Sequence, residues 1–451
     1  MPSAESPSSI VTCRPVRIAI SGIGMVTPGG PDRESSWQTL VAGRSCLRWL
    51  TEEEHFQAGC NPMRTRLAGA PAILSAPGKH TAPSRYAPAN SLTSFDQMLV
   101  QAAEEAAVDA KVDISPAEST RPGDQIDRHR IGLVIGTSKS SLAAIRQGYL
   151  ETFRPNGGQD SSTCPSPLGR EMCPDWWPNV PASRLAVRWD VRGPVLTPVA
   201  ACATGMASLC RGAELIRDGV CDMVFAGSVD DSISEIIWGS YRRLGVLARI
   251  QNDDPATACR PFDRDRTGLL MGAGAAVIVL ERWDAAMARG LRPYAEWLAG
   301  GTLSDSMALT QVSPDAAGLT RLIKDLLRRG NVAAGELDYL NLHGTGTREN
   351  DRYETLGIRQ ALGQIADQIP CSSLKGTIGH LLGGAGSVEF AATILALRDG
   401  IIPPTCNLEH SSPDCDLDYT PQIARRKNMQ TALKVSLGFG GHLVGGLIRR
   451  A

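Results

Sequence analysis

Three side chains in this sequence combine a reactive atom with a backbone setting that can use it: Cys202, His343 and His380. Cys202 lies in Val199-Ala200-Ala201-Cys202-Ala203-Thr204-Gly205. Residues 194–201 read as an apolar strand, and the chain from about Cys202 to Asp218 reads as a helix. A helix N-terminus presents unpaired N–H groups and a positive dipole end, so the thiol pKa is expected to fall and nucleophilicity to rise. The small neighbours leave room for a substrate. A buried core thiol is the ordinary fate of a free cysteine, and that reading is taken for the other eleven.

His343 closes a short strand in Asn341-Leu342-His343-Gly344-Thr345-Gly346-Thr347. Its ring can point into a cleft, and the Thr345 and Thr347 hydroxyls can hold an extended polar substrate. Singly, a turn histidine bonded to backbone explains it equally well. In Ser373-Leu374-Lys375-Gly376-Thr377-Ile378-Gly379-His380, a lysine precedes a histidine at a helix start. Positive charge and the helix terminus both disfavour imidazolium. A neutral histidine that donates a hydrogen bond suits an enolate oxygen. Gly438-Phe439-Gly440-Gly441-His442 forms a glycine loop that can supply an oxyanion-hole N–H or act as a gate, and a plain hairpin turn is the simpler alternative.

The elements that must position these groups follow from periodicity. Strands are expected over 16–26, 130–136, 194–201, 223–227, 275–280, 337–342, 369–373, 432–437 and 443–448, with helices over 37–43, 95–112, 202–218 and 379–397. Residues 72–90 and 115–127 read as connectors, and 156–181 as an insertion or interface loop. A short echo links the two sets: strand, Cys202, helix, Arg217-Asp218-Gly219, and strand, His380, helix, Arg398-Asp399-Gly400. It implies two similar α/β halves whose reactive residues meet at a shared face.

Composition bounds the remainder. The 451 residues fit one large or two fused domains, and 46 glycines suit an α/β protein with many tight turns. A net charge of -1 excludes a global basic field for nucleic acid. The 12 cysteines contain no C-x-x-C pair, so zinc-finger and thioredoxin-like spacings are absent and a reduced, cytoplasmic protein is expected. The polar start of the chain lacks a signal-peptide pattern, and no run of roughly 18 apolar residues supports membrane insertion.

In this order the motifs resemble the elongating 3-oxoacyl-carrier-protein synthases, ketosynthases of the thiolase superfamily, from about Val16 to Ile448. Gly22-Ile23-Gly24-Met25-Val26-Thr27-Pro28, Arg260-Pro261-Phe262-Asp263 and Asn341 add to the likeness. The resemblance implies an α/β, thiolase-like fold of two pseudo-repeated halves, each a five-stranded mixed sheet layered between helices. The halves are expected at 15–285, carrying Cys202, and 286–451, carrying both histidines. It implies a homodimer acting with acyl carrier protein, its substrates borne on phosphopantetheine, with no other cofactor. Cys202 would take the acyl group, and His343 and His380 would stabilise the enolate formed when malonyl-carrier protein loses CO2. The N–H groups of Cys202 and Phe439 would form the oxyanion hole. Lys375 would tune His380, Glu389 would hold Lys375, and Thr345 and Thr347 would hold the pantetheine arm.

Three positions depart from the family. Thr267-Gly268-Leu269 stands where Asp-Gly-Phe is usual, Leu443 replaces an asparagine, and Lys139 replaces an apolar or small residue of the acyl pocket. Leu269 and Lys139 are therefore expected to shape substrate choice. Rival readings fit less well. A thiolase needs a second cysteine in the C-terminal glycine loop, and a chain-initiating synthase needs Cys-His-Asn. A non-condensing, chain-length-factor-like partner subunit lacks the nucleophile. A metal set of Cys202, His343 and His380 is allowed by ligand type but required by nothing in the spacing.

Overall fold

The computed structural model describes residues 16–57, 67–74, 94–114, 126–142, 145–146 and 177–451. Most of the connectors expected over 72–90 and 115–127, and most of the 156–181 insertion, lie outside the described residues.

Among the described residues, ten strands make the main sheet, five from each half of the chain. The first five are β1 (Ile18–Val26), β2 (Ile131–Gly136), β3 (Val195–Leu196), β4 (Met223–Asp231) and β5 (Ala273–Arg282). The second five are β6 (Ala295–Ser304), β7 (Tyr339–Asn341), β8 (Cys371–Ser372), β9 (Thr431–Gly438) and β10 (His442–Arg450). The spatial order is β8-β7-β9-β10-β6-β1-β5-β4-β2-β3. Each strand of one half thus has a counterpart five strands later. β1–β5 and β5–β4 are antiparallel while β4–β2 and β2–β3 are parallel, and β6–β10, β10–β9, β9–β7 and β7–β8 repeat those senses. The halves join edge to edge where Ile18–Ile20 of β1 pairs antiparallel with Ala295–Trp297 of β6. The thiolase-like expectation of two five-stranded mixed sheets is met, with a hydrogen-bonded seam between them.

Helices follow the same repeat. α1 (Ser94–Asp109), α2 (Val180–Trp189) and α3 (Thr204–Arg217) match α4 (Ala317–Arg329), α5 (Arg348–Leu362) and α6 (Ala385–Asp399). One apolar core gathers α1 and α2 on the outer face of the first half, and another gathers α4 and α5 on the second. A third holds α3 and α6 between the halves. α6 is buried on every side from Ala385 to Leu397, as a helix enclosed between two layers must be. Sequence periodicity misplaced some boundaries. The helix expected over 379–397 is a short turn at Lys375–Ile378, a 3₁₀ turn at Leu382–Gly384 and then α6, with His380 in an extended bridge upstream. Gly379 at φ 72 and Leu382 at φ 45 leave the right-handed helical region and break the run. Among the described residues, no helix is long and apolar enough to cross a membrane.

The central helices meet through glycine. A Cβ on Gly205 would lie 2.3 Å from the Ser387 amide, and one on Gly386 would lie 2.6 Å from the Met206 amide. Both obstacles are backbone and cannot swing away. Gly386→Ala should therefore cost about 1–3 kcal/mol through overpacking. Gly239→Ala, on the exposed helix Glu235–Arg243, meets nothing within 4 Å and should gain roughly 0.8–1 kcal/mol of helix propensity. Thermal denaturation of the two variants reads both signs. Equal melting temperatures would contradict the contact.

Candidate active site

Cys202 stands on a strained corner. After β3 the chain passes through Ala201 at φ 47, a left-handed conformation that alanine rarely adopts, into the 3₁₀ turn Ala201–Ala203 and then α3. The Thr204 hydroxyl fixes the corner, donating to the Ala201 carbonyl and accepting from the Ala200 amide, both at 2.8 Å. The other half repeats the device. Leu382, at φ 45, opens the 3₁₀ turn Leu382–Gly384 ahead of α6. In that register Cys202 corresponds to Gly383, and His380 falls upstream of the equivalent position, so the echo seen in the sequence marks the repeat but not a residue-for-residue match.

His343 leaves β7 with its backbone held from three sides. Glu354 on α5 accepts from the His343 amide at 2.6 Å and the Gly344 amide at 2.8 Å. Lys375 donates to the His343 carbonyl, and Ser373 Oγ donates to the Gly344 carbonyl at 2.6 Å. Gly344 has φ 39, and a Cβ there would lie 2.5 Å from the Ser373 side chain. His380 is anchored through its backbone, its amide donating to the Leu270 carbonyl at 2.8 Å and its carbonyl accepting from the Gly272 amide at 3.0 Å. The two rings meet edge to face with centroids 5.3 Å apart. The Nδ1 atom of each is buried and has no hydrogen-bond partner among the described residues.

Behind the histidines is a buried ionic cluster. Glu389 of α6 pairs with Lys375 through Oε1 and with Lys434 of β9 through Oε2, the latter at 2.6 Å. Lys434 also donates to the Leu342 carbonyl at 3.0 Å. All three side chains are at most 2% exposed. Burial, then the charge of Lys375, holds both imidazoles well below their usual 6.5, and Lys434 adds to this. Both rings are therefore neutral at physiological pH, which the sequence reading expected of His380.

Cys202, His343, His380, Thr345, Thr347, Leu269 and Phe439 all line one cavity of about 730 Å³. The Thr345 and Thr347 hydroxyls bond each other at 2.8 Å on its wall. Phe439 sits in the three-residue turn between β9 and β10, with Gly440 and Gly441 at φ 89 and 79. The Phe439 amide is near enough to the Cys202 sulfur to favour its thiolate. Gly438 lets that turn close over the corner, since a Cβ there would lie 2.5 Å from the Ala200 carbonyl oxygen. The ring rests against Tyr241, with centroids 6.1 Å apart.

Lys139 lies apart from the cavity wall. Its ammonium pairs with the fully buried Asp230 at 2.9 Å and donates to Ser138 and Ser232 at 2.7 and 2.6 Å. Asp230 also accepts from the Gly383 amide at 3.0 Å. The lysine thus has an anionic partner, and it is near enough for its charge to act on Cys202 and His380.

The thiol differs from expectation. Burial pushes Cys202 up to about 11, outweighing the pull of Lys375, Lys139 and the Phe439 amide. Desolvation wins because the sulfur lies under the Gly438–Phe439 turn, 6% exposed as a residue. Sequence reasoning also missed Glu354 and Lys434. A readable signal exists for each: three polar residues, Asp351, Glu354 and Thr355, on the buried face of α5, and one lysine inside the apolar strand β9.

A buried thiol, two neutral histidines and a glycine turn around one cavity, on a doubled α/β frame, define a thiolase-like condensing enzyme. The comparisons narrow this. Residues 16–286 match the β-ketoacyl synthase N-terminal domain and 294–409 the C-terminal domain. The chain is 37% identical to the tetracenomycin polyketide synthase ketoacyl synthase alpha subunit of Streptomyces glaucescens, covering 94% of this chain and 95% of that one. It is 34% identical to 3-oxoacyl-[acyl-carrier-protein] synthase 2 of Rhizobium meliloti, covering 96% and 99%. A β-ketoacyl synthase structure from Burkholderia phymatum superposes with a TM-score of 0.81 at 28% identity, over 97% of this chain and all of that one. A type II polyketide ketosynthase solved with its acyl-carrier protein and a hexaketide gives 0.82 at 26%, with the same coverage. The chain belongs to the β-ketoacyl synthase family, acyltransferases that act as condensing enzymes.

A raised thiol pKa has a kinetic signature. Iodoacetamide consumes thiolate, so labelling of Cys202 should keep rising from pH 7 to about 10 instead of levelling near neutrality. Peptide mapping should find Cys202 modified before the core cysteines Cys210 and Cys259, which are off the cavity. A plateau near pH 7 or prior labelling of Cys210 would contradict this.

Proposed function

We propose that this chain elongates an acyl group carried on acyl carrier protein by decarboxylative Claisen condensation, with Cys202, His343 and His380 as the reacting groups. The observation that carries the reading is the convergence of the Cys202 thiol, two neutral imidazoles and the Phe439 amide on one cavity.

In the first half-reaction the Cys202 sulfur attacks the acyl thioester. The Cys202 and Phe439 amides receive the developing oxyanion, and the departing pantetheine thiol takes up the proton that Cys202 gives up. Malonyl-carrier protein then enters, its arm running past Thr345 and Thr347, with Leu269 beside the malonyl group. The bond to the carboxylate carbon breaks, CO2 leaves, and the electron pair passes to the thioester oxygen as an enolate bonded by His343 and His380. The carbanion carbon attacks the acyl-Cys202 carbonyl. Cys202 leaves as thiolate and takes a proton from water. Lys375 and Glu389 hold the histidines in place. Each step has a protein group, so no metal or cofactor beyond the carrier's phosphopantetheine is assigned.

Finer features belong to the same proposal. The chain divides near residue 285 into a half bearing the nucleophile and a half bearing the histidines. It works as a homodimer in the cytoplasm; the partly exposed outer edge at β3 and the exposed Val199 support the dimer. The intact nucleophile and histidine pair favour a condensing role over that of a chain-length-factor-like partner. The likeness to polyketide synthase alpha subunits favours an oxygenated chain over a saturated one.

Neutral histidines that stabilise an enolate are needed for decarboxylation more than for acyl transfer. His343→Ala and His380→Ala should each lower malonyl-carrier decarboxylation by roughly 10²- to 10³-fold while leaving Cys202 acylation measurable by mass spectrometry. Near wild-type condensation by both variants would overturn the assignment.

A further inference from the structure

We propose that Lys434 is a positioning residue for the decarboxylating half-reaction, holding the backbone that presents His343 and supplying a second positive charge behind the histidine pair. This rests on the condensing reading above. Lys434 occupies the middle of β9, where every residue from Thr431 to Leu437 is buried. A lysine in such a strand needs a specific partner. It has two, Glu389 Oε2 at 2.6 Å and the Leu342 carbonyl at 3.0 Å.

A counter-ion role alone does not account for it. Glu389 is already paired with Lys375, so one carboxylate serves two ammonium groups. A further carboxyl that acts on Lys434 is Glu354, which burial pushes up to about 7 and which is spent on the His343 and Gly344 amides. The cluster therefore carries excess positive charge near neutrality. The lysines also act on consecutive carbonyls, Lys434 on Leu342 and Lys375 on His343. Together they pin the peptide that aims the ring. As CO2 departs, the negative charge of the malonyl carboxylate moves to the thioester oxygen that the histidines hold, so a fixed positive charge behind them favours that transition state over the bound ground state. Acyl transfer draws mainly on the Cys202 and Phe439 amides and should depend on Lys434 less.

The pH dependence has a definite sign. Burial lowers Lys434 to about 8, against the pull of Glu389 and with a further push from Lys375. Its charge is present below that value and is lost above it. Decarboxylation by the wild type should fall as pH rises through about 8, and Lys434→Met should lose that limb.

The test measures CO2 release from malonyl-carrier protein and, separately, acylation of Cys202 by mass spectrometry, in wild type, Lys434→Met and Lys434→Arg. Lys434→Met should slow decarboxylation about 10-fold or more at pH 7, mostly in kcat, and change acylation less than about 3-fold, while Lys434→Arg restores part of the rate. Wild-type decarboxylation with an unchanged pH profile in a folded Lys434→Met overturns the proposal. So does an equal loss in both half-reactions, or a failure of both variants to fold, since either marks a purely structural lysine. A wild type that releases no CO2 instead removes the condensing reading itself.

Discussion

Glu389 lies between two buried ammonium groups, and the peptide entering the site hangs from them. Taking three charges out of water costs several kcal/mol each, and the cluster is tolerable only because the carboxylate and two carbonyls meet the ammonium protons. That requirement ties four elements together. α6 supplies Glu389, β9 supplies Lys434, the turn before His380 supplies Lys375, and the segment just after β7 supplies the carbonyls of Leu342 and His343. His343 is placed by its backbone, with its imidazole left free to face the cavity. The same positive charges, added to burial, keep both imidazoles neutral, so one interaction sets both geometry and protonation state.

The doubled fold brings the thiol to this cluster. α3 and α6 begin at matching corners and cross at Gly205 and Gly386, so their N-terminal ends lie together. The first half delivers Cys202 at its corner, and the second delivers its histidines on the approach to its own. Gly383 stands where the second half would carry the cysteine, and its amide binds Asp230. That contact continues to Lys139, which links the loop after β2 to the corner of the opposite half.

Much of this was legible in the sequence. Long apolar runs such as 16–26 and 432–437 announce strands, and the Arg-Asp-Gly pair announces the repeat. Cys202, His343, His380, Lys375 and Phe439 stand out because reactive residues interrupt small-residue stretches. The misses have physical causes. β6 carries Gly300 and Gly301 in mid-strand, which weakens its β pattern, yet a Cβ on Gly300 would strike the Trp297 ring at 2.5 Å. α5 hides because its buried face carries Asp351, Glu354 and Thr355, polar groups used to hold the loop bearing His343. α4 shows a readable stripe at Leu319, Leu322, Ile323 and Leu326, but its neighbours in the chain offer no motif to draw the eye. The thiol pKa went astray because a helix terminus is visible in sequence, whereas the turn that shuts water from the sulfur is a tertiary contact.

The most direct test of this account is the Glu389→Gln variant, assayed for malonyl-carrier decarboxylation and Cys202 acylation after its fold is verified by circular dichroism. The substitution keeps the shape and removes the charge that balances Lys375 and Lys434. The account predicts decarboxylation slowed by at least about 10-fold with acylation largely retained. A folded Glu389→Gln enzyme that decarboxylates at the wild-type rate would contradict it.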